Sequence, residues 1–193
     1  MTLILASSSP IRRAMLEDAG VVFDVDAAAI DEQAYKHDGV EPPDIALELA
    51  EAKALAVSAA HPGDWVIGSD SMVSIGGRRF DKPASRHQAA EHLRFFSGKA
   101  MELTSAAALA RNGKIDWRHG DSARLQVRAL SDAFIANYLD AEWPEVGYCV
   151  GVFRLEGRGV QLFDTIEGSH FTVLGMPLLP LMQALRTRGL APT

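Results

Sequence analysis

A mixed α/β fold is predicted for this 193-residue chain by three observations. Short apolar runs alternate along the chain with stretches whose apolar residues recur at helical spacing, which argues for strands crossed by helices. Gly76-Gly77 and Asn112-Gly113 are hairpin turn signals, and hairpins join antiparallel neighbours. Together the two patterns require a mixed sheet with flanking helices rather than a purely parallel one.

The elements follow in order. Leu3 to Ala6 is a first strand, Ser9 an N-cap with Pro10 as first helical residue, and Gly20 a helix stop. Val21 to Val25 is a second strand, and Asp31 to Pro43 a loop. The stretch DIALELAEAKALAVSAA is a helix with apolar positions at Ile45, Leu49, Ala52 and Ala56, bracketed by Pro42-Pro43 and Pro62-Gly63. Trp65 to Gly68 and Met72 to Ile75 read as strand, with Asp70 between them. Ser85 and Gln88 have capping-box spacing, so a helix runs from there to Gly98. Glu102 to Leu109 and Ala123 to Val127 are strands, Ser131 caps a helix through Tyr138, and Trp143 to Gly147 is loop. Val150 to Leu155 and Val160 to Ile166 are further strands, and Pro177 opens a last helix carrying Leu178, Leu181, Met182 and Leu185.

Composition is globular, 48% hydrophobic and 23% charged, without repeats or low-complexity tracts. A formal net charge of −6 argues against broad attraction to a nucleic-acid duplex or an anionic membrane. Cys149 is the single cysteine, which excludes an internal disulfide and a cysteine-clustered zinc site. No stretch approaches the ~20 apolar residues of a membrane span, and the expected location is the cytoplasm.

Chemistry-bearing residues concentrate in a few places. The turn Ser7-Ser8-Ser9-Pro10-Ile11-Arg12-Arg13 joins hydroxyls, free helix N–H groups and two guanidiniums, which suits a phosphate; a capped helix with both arginines solvated is the alternative. Asp31-Glu32, Asp70 in VIGSDSMVSIGG, and Lys82 before Pro83 put charges where a core-and-surface pattern needs none. Asp70 could equally be a turn residue, and Lys53 a solvated helix cation. Carboxylates from separate loops are what a magnesium ion would need, with phosphate oxygens completing its shell. No Walker-type phosphate loop, dinucleotide glycine fingerprint, zinc-protease histidine pair or serine-hydrolase elbow is present, and the six histidines are scattered, surface-type residues.

LASSSPIRR, IDE, EAKA, IGSD, DKP, FFSG, FRLEG and LGMPL occur in an order that resembles the Maf family of nucleoside triphosphate pyrophosphatases, over residues 3 to 186. The resemblance implies one Maf-like domain over 1–193. It also implies an elongated mixed α/β fold of the inosine-triphosphate-pyrophosphatase type, with two lobes around a central cleft, and often a homodimer. It places phosphate contacts on Ser7, Ser9, Arg12 and Arg13, catalytic roles on Glu32, Lys53, Asp70 and Lys82 with Asp70 as base, and a magnesium or manganese ion on Glu32 and Asp70. Ile11, Ser71 and Glu156 fall at substrate-selecting positions. Glu156 resembles the branch acting on 7-methyl-GTP, since a carboxylate suits a cationic guanine offering N1–H and N2–H. Ile11 and Ser71 match neither that branch nor the one acting on dTTP and UTP. A nucleotide-binding regulator of septum formation without turnover is the rival from another class.

Overall fold

Helix ends follow the local signals closely, whereas strand ends do not: the strand expected from Ala123 to Val127 begins at Lys114, because residues 114–122, exposed and half-buried in alternation, continue the hairpin from Asn112-Gly113, and the one expected from Glu102 to Leu109 runs from Ala100 to Arg111. The computed structural model describes residues 2–37 and 39–192, so residue 38 of the predicted loop lies outside the described residues. The strands are β1 (Leu3–Leu5), β2 (Asp24–Val25), β3 (Trp65–Ile75), β4 (Arg78–Phe80), β5 (Ala100–Arg111), β6 (Lys114–Val127) and β7 (Phe163–Glu167). The helices are α1 (Pro10–Asp18), α2 (Pro42–Ala60), α3 (Arg86–Phe96), α4 (Asp132–Glu142), α5 (His170–Leu174) and α6 (Leu178–Thr187), with 3-10 turns at Glu32–Tyr35, Glu145–Tyr148 and Arg158–Leu162. The described strands form one sheet in the order β2-β1-β3-β5-β6-β7, with β4 paired to β3. β1 runs parallel to β2 and β3, whereas β3–β4 and β6–β7 are antiparallel, so the sheet is mixed as expected.

Contacts divide the chain into two units. The first comprises Met1–Ser71, Thr104–Asp121 and Ser169–Thr193. Its core packs Leu3 and Leu5 of β1 and Ile67 of β3 against Leu16 of α1, Leu109 of β5, and Leu181 and Leu185 of α6. The second comprises Met72–Leu103 and Ser122–Gly168, and buries Phe80, Leu93, Phe96, Leu125, Ile135 and Leu139.

Glycine closes α1 as predicted. Gly20 has φ +71°, its N–H donates to the Glu17 carbonyl, and Val21 N–H reaches the Leu16 carbonyl, the paired bonds of a Schellman stop. Ser85 and Ser131 cap α3 and α4 through bonds from Gln88 and Phe134 N–H. Ser9 occupies the cap position of α1 without a side-chain cap bond; instead its N–H donates to Ser7 Oγ at 3.2 Å.

Several expectations are corrected. The second strand shrinks to Asp24–Val25, and Val22 is 89% exposed. The two apolar runs around Asp70 form one continuous strand, β3, so Asp70 is a strand residue and not a turn residue. Val150 to Leu155 makes no strand. Val152 turns to φ +56°, the Tyr138 hydroxyl donates to its carbonyl at 3.1 Å, and its apolar side chain is buried without a ladder. Val160 to Ile166 starts as a 3-10 turn and reaches strand only at Phe163. α5 was not expected. In α2 the buried face runs through Ile45, Leu49, Lys53 and Val57, leaving Ala52 half-buried and Ala56 exposed. His92 is not a surface residue: it is half-buried against the Phe80 and Phe96 rings, with centroids 5.2 and 5.8 Å away, and burial is the chief cause holding its pKa below the ordinary value.

Candidate active site

Alternation along β3 sends Gly68 and Asp70 to one face and Ser69 and Ser71 to the other. The first face meets α2. A Cβ on Gly68 would lie 2.0 Å from the Ala50 carbonyl oxygen and 2.6 Å from Ala54 N, so only glycine lets the α2 backbone come this close. That approach carries Lys53 Nζ to 2.6 Å from Asp70 Oδ1, a pair whose side chains are 11% and 10% exposed.

Glu32 completes a triad. The Asp31 carboxylate accepts from Gln33 N–H at 3.0 Å and starts the 3-10 turn Glu32–Tyr35; from its first residue Glu32 Oε1 reaches Lys53 Nζ at 2.7 Å. One ammonium therefore bridges two carboxylates, and the cluster keeps a formal charge of −1. A buried pair so close is favourable only because each charge has its partner, and removing one partner from such a pair costs about 3–5 kcal/mol.

Arg12 dominates the other face. Its Nε donates to the Gly175 carbonyl at 2.8 Å, Nη1 to the Ser69 carbonyl at 2.9 Å and to Ser7 Oγ at 3.5 Å, and Nη2 to Ser71 Oγ at 2.9 Å. Burial lowers the guanidinium pKa, while Asp70 and then Glu32 oppose that shift by attraction. Ser71 Oγ also lies 2.8 Å from Ser105 Oγ and donates to the Gly175 carbonyl at 3.1 Å. Ser105 Oγ donates to the Thr172 carbonyl at 2.8 Å, and Thr172 Oγ1 to Asp121 at 2.5 Å.

The first unit thus brings together Glu32, Lys53 and Asp70 on one face of β3, and Ser7, Arg12 and Ser71 on the other. Ser9 and Ile11 are half-buried at the start of α1. Arg13 is turned outward and pairs with Glu17 at 2.7 Å, both side chains at least half exposed. Lys82 and Glu156 belong to the second unit, where both are exposed. There the Cys149 thiol is pushed up to about 11, first by burial and then by Glu156, against the opposing pull of Arg154 and Lys82.

Gly68, Ser105 and Gly175 were not singled out from the sequence. The only signal was a small or polar residue inside an apolar run for the first two, and a glycine before Met176-Pro177 for the third.

The carboxylate oxygens of Glu32 and Asp70 are hard donors converging on one cation, which fits magnesium or manganese drawing further ligands from phosphate and water. No cluster of three or more histidine, cysteine, aspartate or glutamate side chains suited to a metal occurs among the described residues, so those further ligands would be needed. No described helix is long and apolar enough to cross a membrane.

Comparison with known proteins shows a 48% identity over 191 residues with the 7-methyl-GTP pyrophosphatase of Rhizobium meliloti (strain 1021), covering 97% of this chain and 96% of that protein. A nucleoside triphosphate pyrophosphatase of Sphingopyxis alaskensis is 46% identical over 197 residues, covering all of both chains. Among solved structures, the chain is similar to a nucleoside-triphosphatase, a dITP/XTP pyrophosphatase from Mycobacterium abscessus, with TM-score 0.43, 17% identity and coverage of 98% and 96%. The Maf-like protein profile matches residues 2–188, and the chain belongs to the Maf-like family.

Proposed function

We propose that the protein is a hydrolase that cuts a nucleoside triphosphate between its α and β phosphates, releasing the monophosphate and pyrophosphate, with modified nucleotides such as 7-methyl-GTP as substrates. The observation that carries this reading is the buried Lys53–Asp70 pair, joined at its outer side by the half-exposed Glu32, in a chain whose relatives bear pyrophosphatase names.

In this reading Asp70 takes the proton of the attacking water, whose oxygen forms the new P–O bond as the bridging oxygen leaves with pyrophosphate. β3 and α2 hold the Asp70 carboxylate rigidly, which preserves the alignment that proton transfer needs. Glu32 and Asp70 would hold a magnesium or manganese ion, which supplies neutralisation of phosphate charge and polarisation of the phosphoryl centre when bound. Lys53 and Lys82 add positive charge for the departing phosphates. Ser7, Ser9 and Arg13 offer hydroxyls and a cation at the start of α1, where the helix dipole favours an anion.

Base selection is assigned to Glu156 and Ile11, because the Ser71 hydroxyl is engaged by Arg12, Ser105 and Gly175. A carboxylate accepts the N1–H and N2–H of a 7-methylguanine and repels the acceptor edge of thymine or uracil. The expected place of action is the cytoplasmic nucleotide pool, and the expected assembly a homodimer.

The test is pyrophosphate release from a panel of 7-methyl-GTP, GTP, dTTP, UTP and ATP with magnesium or manganese. Turnover that is highest on 7-methyl-GTP supports the proposal. Binding without release from any member of the panel overturns it and favours a regulator.

A further inference from the structure

Arg12 is usually the kind of residue assigned to phosphate: a guanidinium at the start of a helix, beside serines. Its bonding argues otherwise. A guanidinium has five N–H donors in a planar fork, and it grips a phosphate with two parallel ones. Here Nε goes to the Gly175 carbonyl, Nη1 to the Ser69 carbonyl and the Ser7 hydroxyl, and Nη2 to the Ser71 hydroxyl. Four of the five N–H groups are directed at protein acceptors, and what remains is a single donor on Nη2.

Ser69 is fully buried, so its carbonyl would lose its guanidinium donor away from water if Arg12 turned to a ligand. Gly175 has φ +111°, and a Cβ there would sit 3.4 Å from Ser71 Oγ and 3.7 Å from Arg12 Nε, so the guanidinium and hydroxyl lie directly against a glycine turn. Ser69 Oγ and Ser71 Oγ also donate to the Gly175 carbonyl, at 3.3 and 3.1 Å. The residues gripped on β3 are the immediate neighbours of Asp70 on either side.

We propose that Arg12 is a positioning residue, a clamp that fixes β3 around Asp70 against the turn between α5 and α6, and that it is not a phosphate ligand. The inference rests on the reading of Asp70 as the catalytic base and changes the part given to Arg12 within it.

Arg12→Lys separates the alternatives, because lysine keeps the charge on a flexible stem and lacks the fork that serves three directions at once. Arg12→Ala removes both. Hydrogen exchange of the full-length protein, followed over residues 65–75 and 170–178, should be about tenfold faster or more in both variants than in wild type. Steady-state kinetics should show kcat falling about 10²-fold in the lysine variant as in the alanine variant, the effect of misplacing a reacting group by about 1 Å. Affinity for inorganic pyrophosphate with magnesium, read by calorimetry, should stay within about threefold, since no paired charge–phosphate contact is lost.

Unchanged exchange in both segments overturns the clamp. So does a lysine variant with near-wild-type kcat, or a pyrophosphate affinity that falls about tenfold or more in the alanine variant, because a phosphate ligand predicts those results. If the wild-type protein hydrolyses no nucleotide, the hydrolase reading fails separately, and the exchange measurement alone decides the clamp.

Discussion

Substituting alanine for Gly68 tests how the site is held together, at a position that touches no substrate. The new Cβ would lie 2.0 Å from the Ala50 carbonyl oxygen, where real contacts stay beyond 3.0 Å, and the atom it meets is helix backbone rather than a side-chain tip that could swing aside. α2 must therefore retreat from β3 by about 1 Å or more. Lys53 rides on α2 and Asp70 on β3, so their 2.6 Å contact lengthens with the retreat. Overpacking of this kind costs about 1–3 kcal/mol, and a misplacement of about 1 Å at a reacting group can cost about 10²-fold in rate. Urea denaturation should show a lower midpoint for Gly68→Ala, and kcat on the preferred nucleotide should fall by about two orders of magnitude in the fraction that remains folded. A variant with wild-type midpoint and wild-type kcat would refute the argument that the close approach of α2 to β3 sets the geometry of Asp70.

Three further expectations follow from the site. Asp70→Asn should lower kcat by ~10²–10⁴-fold while leaving nucleotide binding and fold in place, because Lys53 keeps Glu32 at 2.7 Å; binding is checked by calorimetry and rate by pyrophosphate release. Glu156→Gln keeps the shape and removes the charge, so the kcat/KM ratio of 7-methyl-GTP to dTTP should fall by about tenfold, the size expected for losing one charge-assisted bond, and an unchanged ratio would remove Glu156 from base selection. Cys149, with its thiol pushed from an ordinary 9.0 to about 11, should carry about a hundredfold less thiolate at pH 8 than an unperturbed cysteine. Its alkylation by iodoacetamide, followed by mass spectrometry, should accordingly be slow at pH 8 and accelerate up to about pH 11; a plateau near pH 9 would contradict the burial argument.

Local grammar was legible wherever one residue decides the backbone. Gly20, Ser85, Ser131, Gly76-Gly77 and Asn112-Gly113 act through their own conformation or their own side-chain bond, and each does in the fold what its type predicts. Lys53 was not legible as a buried residue. A lysine at a helical position reads as solvated until a strand carboxylate and a loop carboxylate arrive from 17 and 21 residues away in the chain to pay for its burial. Asp70 was read as an interruption because a charge rarely sits inside a strand, and only the partner on α2 makes that placement stable. The segment from Val150 to Leu155 has strand composition but forms no strand among the described residues; Val152 and Phe153 are buried around a turn at Val152 instead. Arg12 and Arg13 are adjacent and chemically identical, yet α1 turns one to the interior and the other to Glu17.

The bond from Arg12 to Gly175 joins residues 163 positions apart. A ribosome adding ~5–20 residues per second needs roughly 8–30 s to go from one to the other. Within that interval β1 and α1, and from residue 75 onward β3, exist without the carbonyl that receives Arg12 Nε, and without α6, whose Leu181 and Leu185 close their core. The nascent amino-terminal segment therefore spends most of its synthesis as an incomplete half of a unit, with apolar strand faces exposed and a cation lacking its seat. Completion of the first unit is a late event in translation, so a chain arrested before Gly175 would be a client for chaperones rather than a partly active protein.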